Sequence, residues 1–140
     1  MSHDDLTESR IAQLHATFDA VPYARLIGME LGEVKRGEAN VHLEVRAELR
    51  QNRGVVHGGV IASLLDTATA FAAVSTLEPG ERVTTTDLTI HYLRPVEDGK
   101  LTATAKIVRA GRRLLVLSAE VFDSSELLVA TAVTGYLKLV

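Results

Sequence analysis

One segment of the chain, Val60 to Val74, is rich in alanine and leucine and contains neither glycine nor proline. The next helix-breaking pair is Pro79-Gly80. This composition predicts one long α-helix. Because apolar residues occupy nearly all of its sides, we expect the other elements of the fold to surround it.

Apolar and polar residues alternate on both sides of this helix, which is typical of half-buried β-strands. In one such segment Ala39, Val41 and Leu43 share a face. Strands are predicted at 29–35, 38–46, 82–93, 100–110, 112–123 and 127–140. The short turns between the last four predict an antiparallel meander. A long helix lying on a strongly curved antiparallel sheet is the economical arrangement, so the predicted fold class is α+β.

A second helix is predicted near the N-terminus, from about Leu6 to Asp19. Its apolar side chains recur at spacings of three and four, at Ile11, Leu14 and Phe18. Thr7 or Ser9 can cap its start. The sequence Val21-Pro-Tyr ends it.

The composition excludes several classes of protein. The 140 residues suffice for about one domain, and the absence of cysteine excludes disulfides and thiolate metal sites. The 15 Lys and Arg against 18 Asp and Glu argue against general nucleic-acid binding. No apolar run approaches the ~18 residues that cross a bilayer, and the first residues are polar, so we expect a cytoplasmic protein. The histidines show no metal-ligand spacing, so no metal site is predicted.

The candidate chemistry lies at the start of the long helix. Gly58 and Gly59 stand directly ahead of it, where unobstructed backbone N–H groups meet the positive end of the helix dipole. Such groups suit a developing negative charge on oxygen. Asp66 follows about 10 Å further along the axis and only about 20° away from Gly59 around it. A stripe of small and polar residues would form a groove beside them, comprising Ala62, Ser63, Thr69, Ala70 and Ala73.

Asp66 needs a partner, because burying an unpaired carboxylate in an apolar helix is costly. One interpretation is structural: the carboxylate faces solvent, or binds a backbone N–H or an interface arginine. The other is functional and depends on its combination with Asn52, His57 and the glycine pair. A Ser-His-Asp nucleophilic triad is poorly supported, since Ser63 lacks the glycine-x-serine-x-glycine elbow.

Three arginines, Arg109, Arg112 and Arg113, surround a predicted hairpin turn at Gly111. One interpretation is a solvated turn. The other is a site for an anionic ligand such as a nucleotide phosphate, because the guanidinium fork fits phosphate oxygens.

Three separated motifs carry a family resemblance: the stretch from Asn52 through His57-Gly-Gly to Asp66, the run Thr86-Asp-Leu-Thr-Ile-His-Tyr-Leu-Arg-Pro, and Gly111-Arg-Arg. Together they resemble the hotdog-fold acyl-CoA thioesterases of the PaaI-like group, also called the phenylacetic-acid-degradation thioesterase family. The resemblance spans about Leu26 to the end. It therefore implies an N-terminal helical segment, 1–25, and a hotdog thioesterase domain, 26–140, in which a curved antiparallel sheet of about five to six strands wraps the central helix.

The resemblance also implies catalytic roles. Asp66 is the general base that activates water, or the nucleophile that attacks the thioester. The amide of Gly58 or Gly59 polarises the thioester carbonyl, and His57 holds that loop and the carbonyl. Asn52 orients water or substrate.

Further residues are implied to contact the substrate or to assist Asp66. Ser63 and Thr69 are expected at the substrate, and Arg112 and Arg113 at the phosphates of coenzyme A. Relatives place a Ser or Thr, here Thr85, where it assists the catalytic carboxylate. A regular strand would turn Thr85 away from the face that carries Leu88 and Ile90, so this role requires a β-bulge or a partner subunit.

The resemblance implies a homo-oligomeric acyl-CoA thioesterase that releases a carboxylic acid and free coenzyme A without a cofactor. Its sites would lie between subunits of a dimer or of a tetrameric dimer of dimers, with the glycines of one chain facing Asp66 of the other. Neither nucleic acid nor a membrane is an expected partner. Two alternatives stay open: a hotdog hydratase or dehydratase, and a non-catalytic acyl-CoA-binding protein. The sequence leaves the acyl group open, with aryl and medium-chain groups as candidates.

Overall fold

A computed structural model describes residues 5–139 of the chain. Within that range a six-stranded antiparallel sheet wraps around one long helix, which confirms the predicted α+β class. Residues 1–4 and 140, which the predicted domain bounds include, lie outside the described residues. The elements are α1 (Glu8–Asp19), α2 (Pro22–Ile27), β1 (Met29–Lys35), β2 (Glu38–Glu44), a one-turn 3-10 helix (Ala47–Leu49), α3 (Gly58–Val74), β3 (Arg82–Tyr92), β4 (Lys100–Ala110), β5 (Leu114–Phe122) and β6 (Leu128–Leu139).

The predicted long helix is α3, and it forms the centre of the hydrophobic core. It packs against β2 and β4 on one flank and against β5, β6 and β3 on the other, as expected of a helix that is apolar on most sides. Its middle is sealed from solvent at Leu64, Leu65 and Ala68. The inward faces of the strands complete the core, and β2 contributes Ala39, Val41 and Leu43 as predicted.

The order of the strands is β1-β2-β4-β5-β6-β3. Strands β4, β5 and β6 form the predicted meander, but the expectation that β3 joins it beside β4 is wrong, since β3 pairs with β6. The link 93–99 is longer than a hairpin turn and carries the chain from the edge strand β3 past β6 and β5 to the interior strand β4. Strand β3 is an edge strand paired with β6, and it also contacts α3 because the sheet curls around that helix.

The N-terminal segment holds two helices rather than one. Helix α1 begins at Glu8, with Thr7 as the capping residue whose Oγ1 accepts the N–H of Arg10 at 3.1 Å. The chain breaks at Val21 as predicted, but a short helix, α2, follows and spans the boundary expected between 25 and 26. It starts on Pro22 and ends at Gly28, whose φ of +89° favours glycine.

The two edges of the sheet differ in protection. Strand β1 has an irregular register after Leu31 and is covered by α1 and α2. Strand β3 is an eleven-residue edge strand, with the apolar side chains of Tyr92 and Leu93 more than half exposed at its end. A long exposed edge of this kind is a ready surface for pairing with another strand. Among the helices within residues 5–139, none is long and apolar enough to span a membrane.

Candidate active site

His57 caps the start of α3. Its Nδ1 accepts the backbone N–H of Gly59 at 2.8 Å, which satisfies one of the free donors of the first helical turn. An Nδ1 that accepts a hydrogen bond carries no proton, so the neutral imidazole has its proton on Nε2. The exposed ring of His57 therefore presents an N–H donor next to the helix N-terminus.

Gly58 is the first residue of α3, and the edge strand contacts it. Its carbonyl accepts the hydroxyl of Tyr92 at 2.9 Å. Since the N–H of Gly59 is already bound to His57, the amide of Gly58 is the member of the glycine pair better suited to an incoming oxygen. The positive end of the helix dipole lies at the same place.

The open face of α3 differs in part from the predicted stripe. Gly59, Ala62, Ser63, Asp66 and Ala70 are exposed or half-buried, together with Thr67, which the prediction omitted. The hydroxyl of Ser63 donates to the Gly59 carbonyl at 2.8 Å and shares a 2.7 Å hydrogen bond with the hydroxyl of Tyr23.

The expectation that Thr69 and Ala73 line the open stripe is wrong, because both are completely buried. Thr69 lies about 60° from Asp66 around the axis, on the flank of α3 that faces β6. Its Oγ1 donates to the Leu65 carbonyl at 2.9 Å and is hydrogen-bonded to the hydroxyl of Tyr136 at 2.9 Å. Thr69 therefore has no surface for substrate within this chain.

Asp66 is half-buried and is held by two hydroxyl groups. Thr85 Oγ1 donates to its Oδ1 at 3.0 Å, and the hydroxyl of Tyr136 lies 3.0 Å from the same oxygen and 2.7 Å from the Asp66 backbone carbonyl. The ion pairs formed within residues 5–139 do not include Asp66, so the arginine-paired interpretation finds no support inside the chain. One carboxylate oxygen is thus engaged, and the other, Oδ2, stays open for chemistry.

A β-bulge explains how Thr85 reaches Asp66. The β3–β6 register slips by one residue between Thr85 and Asp87, so Thr85 lies opposite Tyr136 and both side chains share the inner face. The bulge is thus one of the two conditions under which Thr85 was expected to assist the carboxylate. Gly135 makes room for it, because a Cβ there would clash with the Asp87 carboxylate and lie 2.8 Å from Thr86 Oγ1.

Tyr136 is the site residue that sequence reasoning missed. The alternation of β6 places it on the inner face, and a buried tyrosine usually finds a partner for its hydroxyl. That pattern was the available signal, although it does not identify Asp66 as the partner. Burial raises the pKa of the Tyr136 phenol well above its ordinary value, so the hydroxyl stays protonated and acts as a donor.

The remaining predicted residues are more distant from Asp66 within one chain. Asn52 is exposed at the tip of a tight turn closed by the hydrogen bond from the Gly54 N–H to the Gln51 carbonyl. Arg112 and Arg113 are exposed in the β4–β5 turn. That turn follows Ala110, which pairs with Leu115, and Leu115 pairs in turn with Tyr136. The arginines therefore emerge at the end of the sheet where Tyr136 and Thr85 hold Asp66.

The spacing along α3 limits what one chain can do. Asp66 lies eight positions after Gly58 on a straight helix, a rise of about 12 Å, so one small reacting group cannot touch both within a single chain. Within residues 5–139 no cluster of His, Cys, Asp and Glu is suited to hold a metal ion.

Comparisons with known proteins show what the chain is similar to in sequence and in fold. A model of the thioesterase superfamily matches residues 53–130. The medium/long-chain acyl-CoA thioesterase YigI of Escherichia coli K12 is 33% identical over 132 residues, covering 84% of this chain and 85% of that protein. The 1,4-dihydroxy-2-naphthoyl-CoA hydrolase of Listeria monocytogenes is 33% identical over 103 residues, covering 74% and 84%. The solved structure of E. coli PaaI, from the phenylacetic acid degradation operon, is similar with a TM-score of 0.88 at 27% identity and 96% coverage of both chains.

Proposed function

The chain belongs to the thioesterase superfamily and is a thioester hydrolase, and from that membership we propose that it hydrolyses an acyl-CoA to a carboxylic acid and free coenzyme A. The observation that carries the proposal is the state of Asp66. Two hydroxyl donors orient one of its oxygens while the other stays free on a half-exposed helix face. A carboxylate held in this way can act on a thioester carbon.

Asp66 has two possible roles in this reaction. As a general base, Oδ2 takes a proton from water as the water attacks the thioester carbon. As a nucleophile, the same oxygen attacks that carbon and forms an anhydride, which water then hydrolyses. Both routes expel the coenzyme A thiolate and pass through an oxyanion, so both need a donor for the negative oxygen.

The helix N-terminus supplies that donor. The Gly58 N–H lies at the positive end of the α3 dipole, and the Nε2–H of His57 is its neighbour. Fixed donors at an oxyanion are worth about 3 kcal/mol each in other hydrolases. The proposed function of Gly59 is indirect: its N–H fixes the His57 ring.

The proposed site uses two copies of the chain. The thioester must lie within about 3 Å of both the oxyanion donors and the carboxylate, whereas Gly58 and Asp66 of one chain are about 12 Å apart along the axis. The proposed site therefore pairs Gly58 of one protomer with the second protomer's carboxylate. The unprotected edge of β3, which carries Tyr92 near Gly58 and Thr85 near Asp66, is the proposed interface.

The substrate class follows from the relatives and the surface. Both named relatives act on coenzyme A esters, one on medium and long acyl chains and one on a bicyclic aromatic acyl group. Arg112 and Arg113 are proposed to bind the coenzyme A phosphates, since they emerge at the end of the sheet near Asp66. Ser63, on the open face of α3, and Asn52, on the loop before it, are proposed to contact the thioester and the attacking water.

The test is an assay of free thiol release with Asp66→Asn, which keeps the side-chain shape and removes the charge. We expect kcat to fall by a factor of about 10² to 10⁴, with an unchanged thermal midpoint and oligomeric state. Full activity of this variant would remove Asp66 from the mechanism. Tight acyl-CoA binding by the wild-type protein without thiol release would identify a non-catalytic binding protein instead. A panel from acetyl-CoA to palmitoyl-CoA, with phenylacetyl-CoA and benzoyl-CoA, identifies the preferred acyl group.

A further inference from the structure

We propose that Tyr136 is a positioning residue for the hydrolysis: from the buried side of α3, its hydroxyl holds the Asp66 carboxylate in one orientation. The proposal rests on the proposed catalytic function of Asp66. It assigns a role to a residue that itself touches neither substrate nor water.

The first line of support is the set of hydrogen bonds around the Tyr136 hydroxyl. It lies 2.7 Å from the Asp66 backbone carbonyl, 3.0 Å from Asp66 Oδ1 and 2.9 Å from Thr69 Oγ1. The side chain is 2% exposed, and Tyr136 is the largest residue by volume among the fully buried side chains of residues 5–139. A rigid ring packed in the core thus delivers one hydroxyl to both the main chain and the side chain of Asp66.

The second line of support is the direction of the proton. Burial raises the pKa of the phenol, so Tyr136 keeps its proton and donates it. Thr69 has two possible arrangements. In the first, its hydroxyl donates to the Leu65 carbonyl and accepts a hydrogen bond from Tyr136; in the second, its hydroxyl donates to the phenol oxygen of Tyr136. In the second arrangement the Tyr136 proton is free for Asp66. An ionised Oδ1 is then a stronger acceptor for it than the Asp66 backbone carbonyl.

The third line of support is the geometry with Thr85. Tyr136 and Thr85 are register partners on neighbouring strands, and both donate to the same oxygen, Oδ1. Two donors from different directions restrict rotation of the carboxyl group more than either alone. Oδ2 is then kept on the open side of α3. A misplacement of about 1 Å in a reacting group costs about 10²-fold in rate, so this restriction matters for catalysis.

The variant that tests the proposal is Tyr136→Phe, which removes the hydroxyl and keeps the ring. Thr134→Val is the matched control: Thr134 is buried on the same face of the same strand, its Oγ1 has no hydrogen-bond partner within residues 5–139, and the substitution is close in shape. We expect Tyr136→Phe to lower kcat about 10- to 100-fold with a nearly unchanged KM. Thr134→Val should keep kcat and KM within about twofold of wild type, because no partner is lost.

A second readout separates positioning from a general loss of folded protein. Within residues 5–139 the groups hydrogen-bonded to the carboxylate are the hydroxyls of Thr85 on β3 and Tyr136 on β6, and Tyr136 is bonded in turn to the hydroxyl of Thr69 on α3. Losing a donor to the ionised form favours protonation. The acidic limb of the kcat/KM profile should therefore move to higher pH in Tyr136→Phe and stay in place in Thr134→Val. A lower fraction of folded enzyme would reduce the amplitude without moving the limb.

The outcomes distinguish the proposal from the function on which it rests. If Tyr136→Phe keeps the wild-type kcat and acidic limb while Asp66→Asn is inactive, the positioning role is overturned and the hydrolase mechanism stands. If Asp66→Asn is fully active, the catalytic assignment fails, and the positioning role fails with it. Should Tyr136→Phe not fold, replacing Tyr136 with 3-fluorotyrosine keeps the ring and makes the hydroxyl a stronger donor to Asp66 Oδ1. The acidic limb should then move to lower pH, and an unmoved limb overturns the proposal.

Discussion

Thr85 lies directly opposite Tyr136 across the β3–β6 pair, and this pairing exists only because one extra residue is inserted between Thr85 and Asp87. Without the bulge, the period of two along the strand would turn Thr85 to the outer face. The hydroxyls of the pair converge on Oδ1 of Asp66. A local irregularity of an edge strand thus builds half of the support for the carboxylate.

Gly135→Ala tests the importance of the bulge. An added Cβ would clash with the Asp87 carboxylate and crowd Thr86 Oγ1, so these two exposed side chains must rotate and give up their mutual hydrogen bond. We expect a loss of about 0.5–1.5 kcal/mol in the free energy of unfolding from the lost hydrogen bond, and a lower kcat where the rearrangement displaces the neighbouring Thr85. Chemical denaturation and thiol-release kinetics measure the two effects. If stability and kcat both match the wild type, the bulge tolerates a side chain at this position and does not hold Thr85 tightly.

Gly58→Ala separates stability from activity at the helix N-terminus. A Cβ at Gly58 would lie 3.4 Å from the ring of Tyr92, an ordinary contact, and alanine is a better helix former than glycine. We expect an unchanged or higher thermal midpoint. Activity should fall about tenfold or more, because the methyl group crowds the amide proposed to bind the oxyanion. Wild-type turnover in this variant would mean that the thioester carbonyl does not approach that amide.

The elements of the fold were predictable from the sequence because each has a strong period. Alternation gave strands β1 and β4 with their observed bounds and the other four strands to within two residues at each end, while the run of alanine and leucine gave α3. The pairing of β3 with β6 was not predictable in this way, because hydrophobic alternation does not identify a strand's neighbour when the connecting link is long. Helix α2 had a signal, Pro22 at its start and Gly28 at its end, that the single break at Val21 obscured.

The site residues that lie on α3 were predictable from the sequence, but the sheet residue Tyr136 that supports Asp66 was not. Asp66 and the helix cap lie on one element, so helical spacing places them. Thr69 was placed wrongly because a helical wheel gives angles but not which flank the sheet covers. Tyr136 lies seventy residues from Asp66, and its contact depends on tertiary packing that no local pattern encodes.

Glu126→Gly should stabilise the fold. Glu126 lies in the β5–β6 turn, and among residues 5–139 it alone combines a side chain with a positive φ, +63°. Relief of that conformation outweighs the extra freedom that glycine gives the unfolded chain. We expect a rise of about 1–4 °C in the thermal midpoint. Ser125→Gly, at the preceding exposed position, is the control and should lower the midpoint; a lower midpoint in both variants would contradict the prediction.

His42 should make stability depend on pH. Burial and the nearby Lys100 lower its pKa below the ordinary value of 6.5, with Glu30 opposing them. The unfolded chain therefore binds the proton more readily than the folded one. The free energy of unfolding therefore has its full value at a pH above the ordinary pKa of His42, and it decreases as the pH falls through the lowered pKa. The drop in thermal midpoint between about pH 7.5 and about pH 5 should be smaller in His42→Gln than in wild type, and an equal drop would contradict this.

Complementation between two inactive variants tests the shared site. In a symmetric dimer of the proposed kind, each site combines the helix N-terminus of one chain with Asp66 of the other. A heterodimer of His57→Ala and Asp66→Asn then contains one site with both changes and one with neither. Random reassembly makes about half of the dimers mixed, so about one quarter of wild-type activity should return when the two variants are unfolded and refolded together. Each variant refolded alone is the control. Recovery is expected only if Asp66 acts across the interface. A site made within one chain would leave every protomer in the mixture defective. The mixture would then be no more active than the two variants refolded alone.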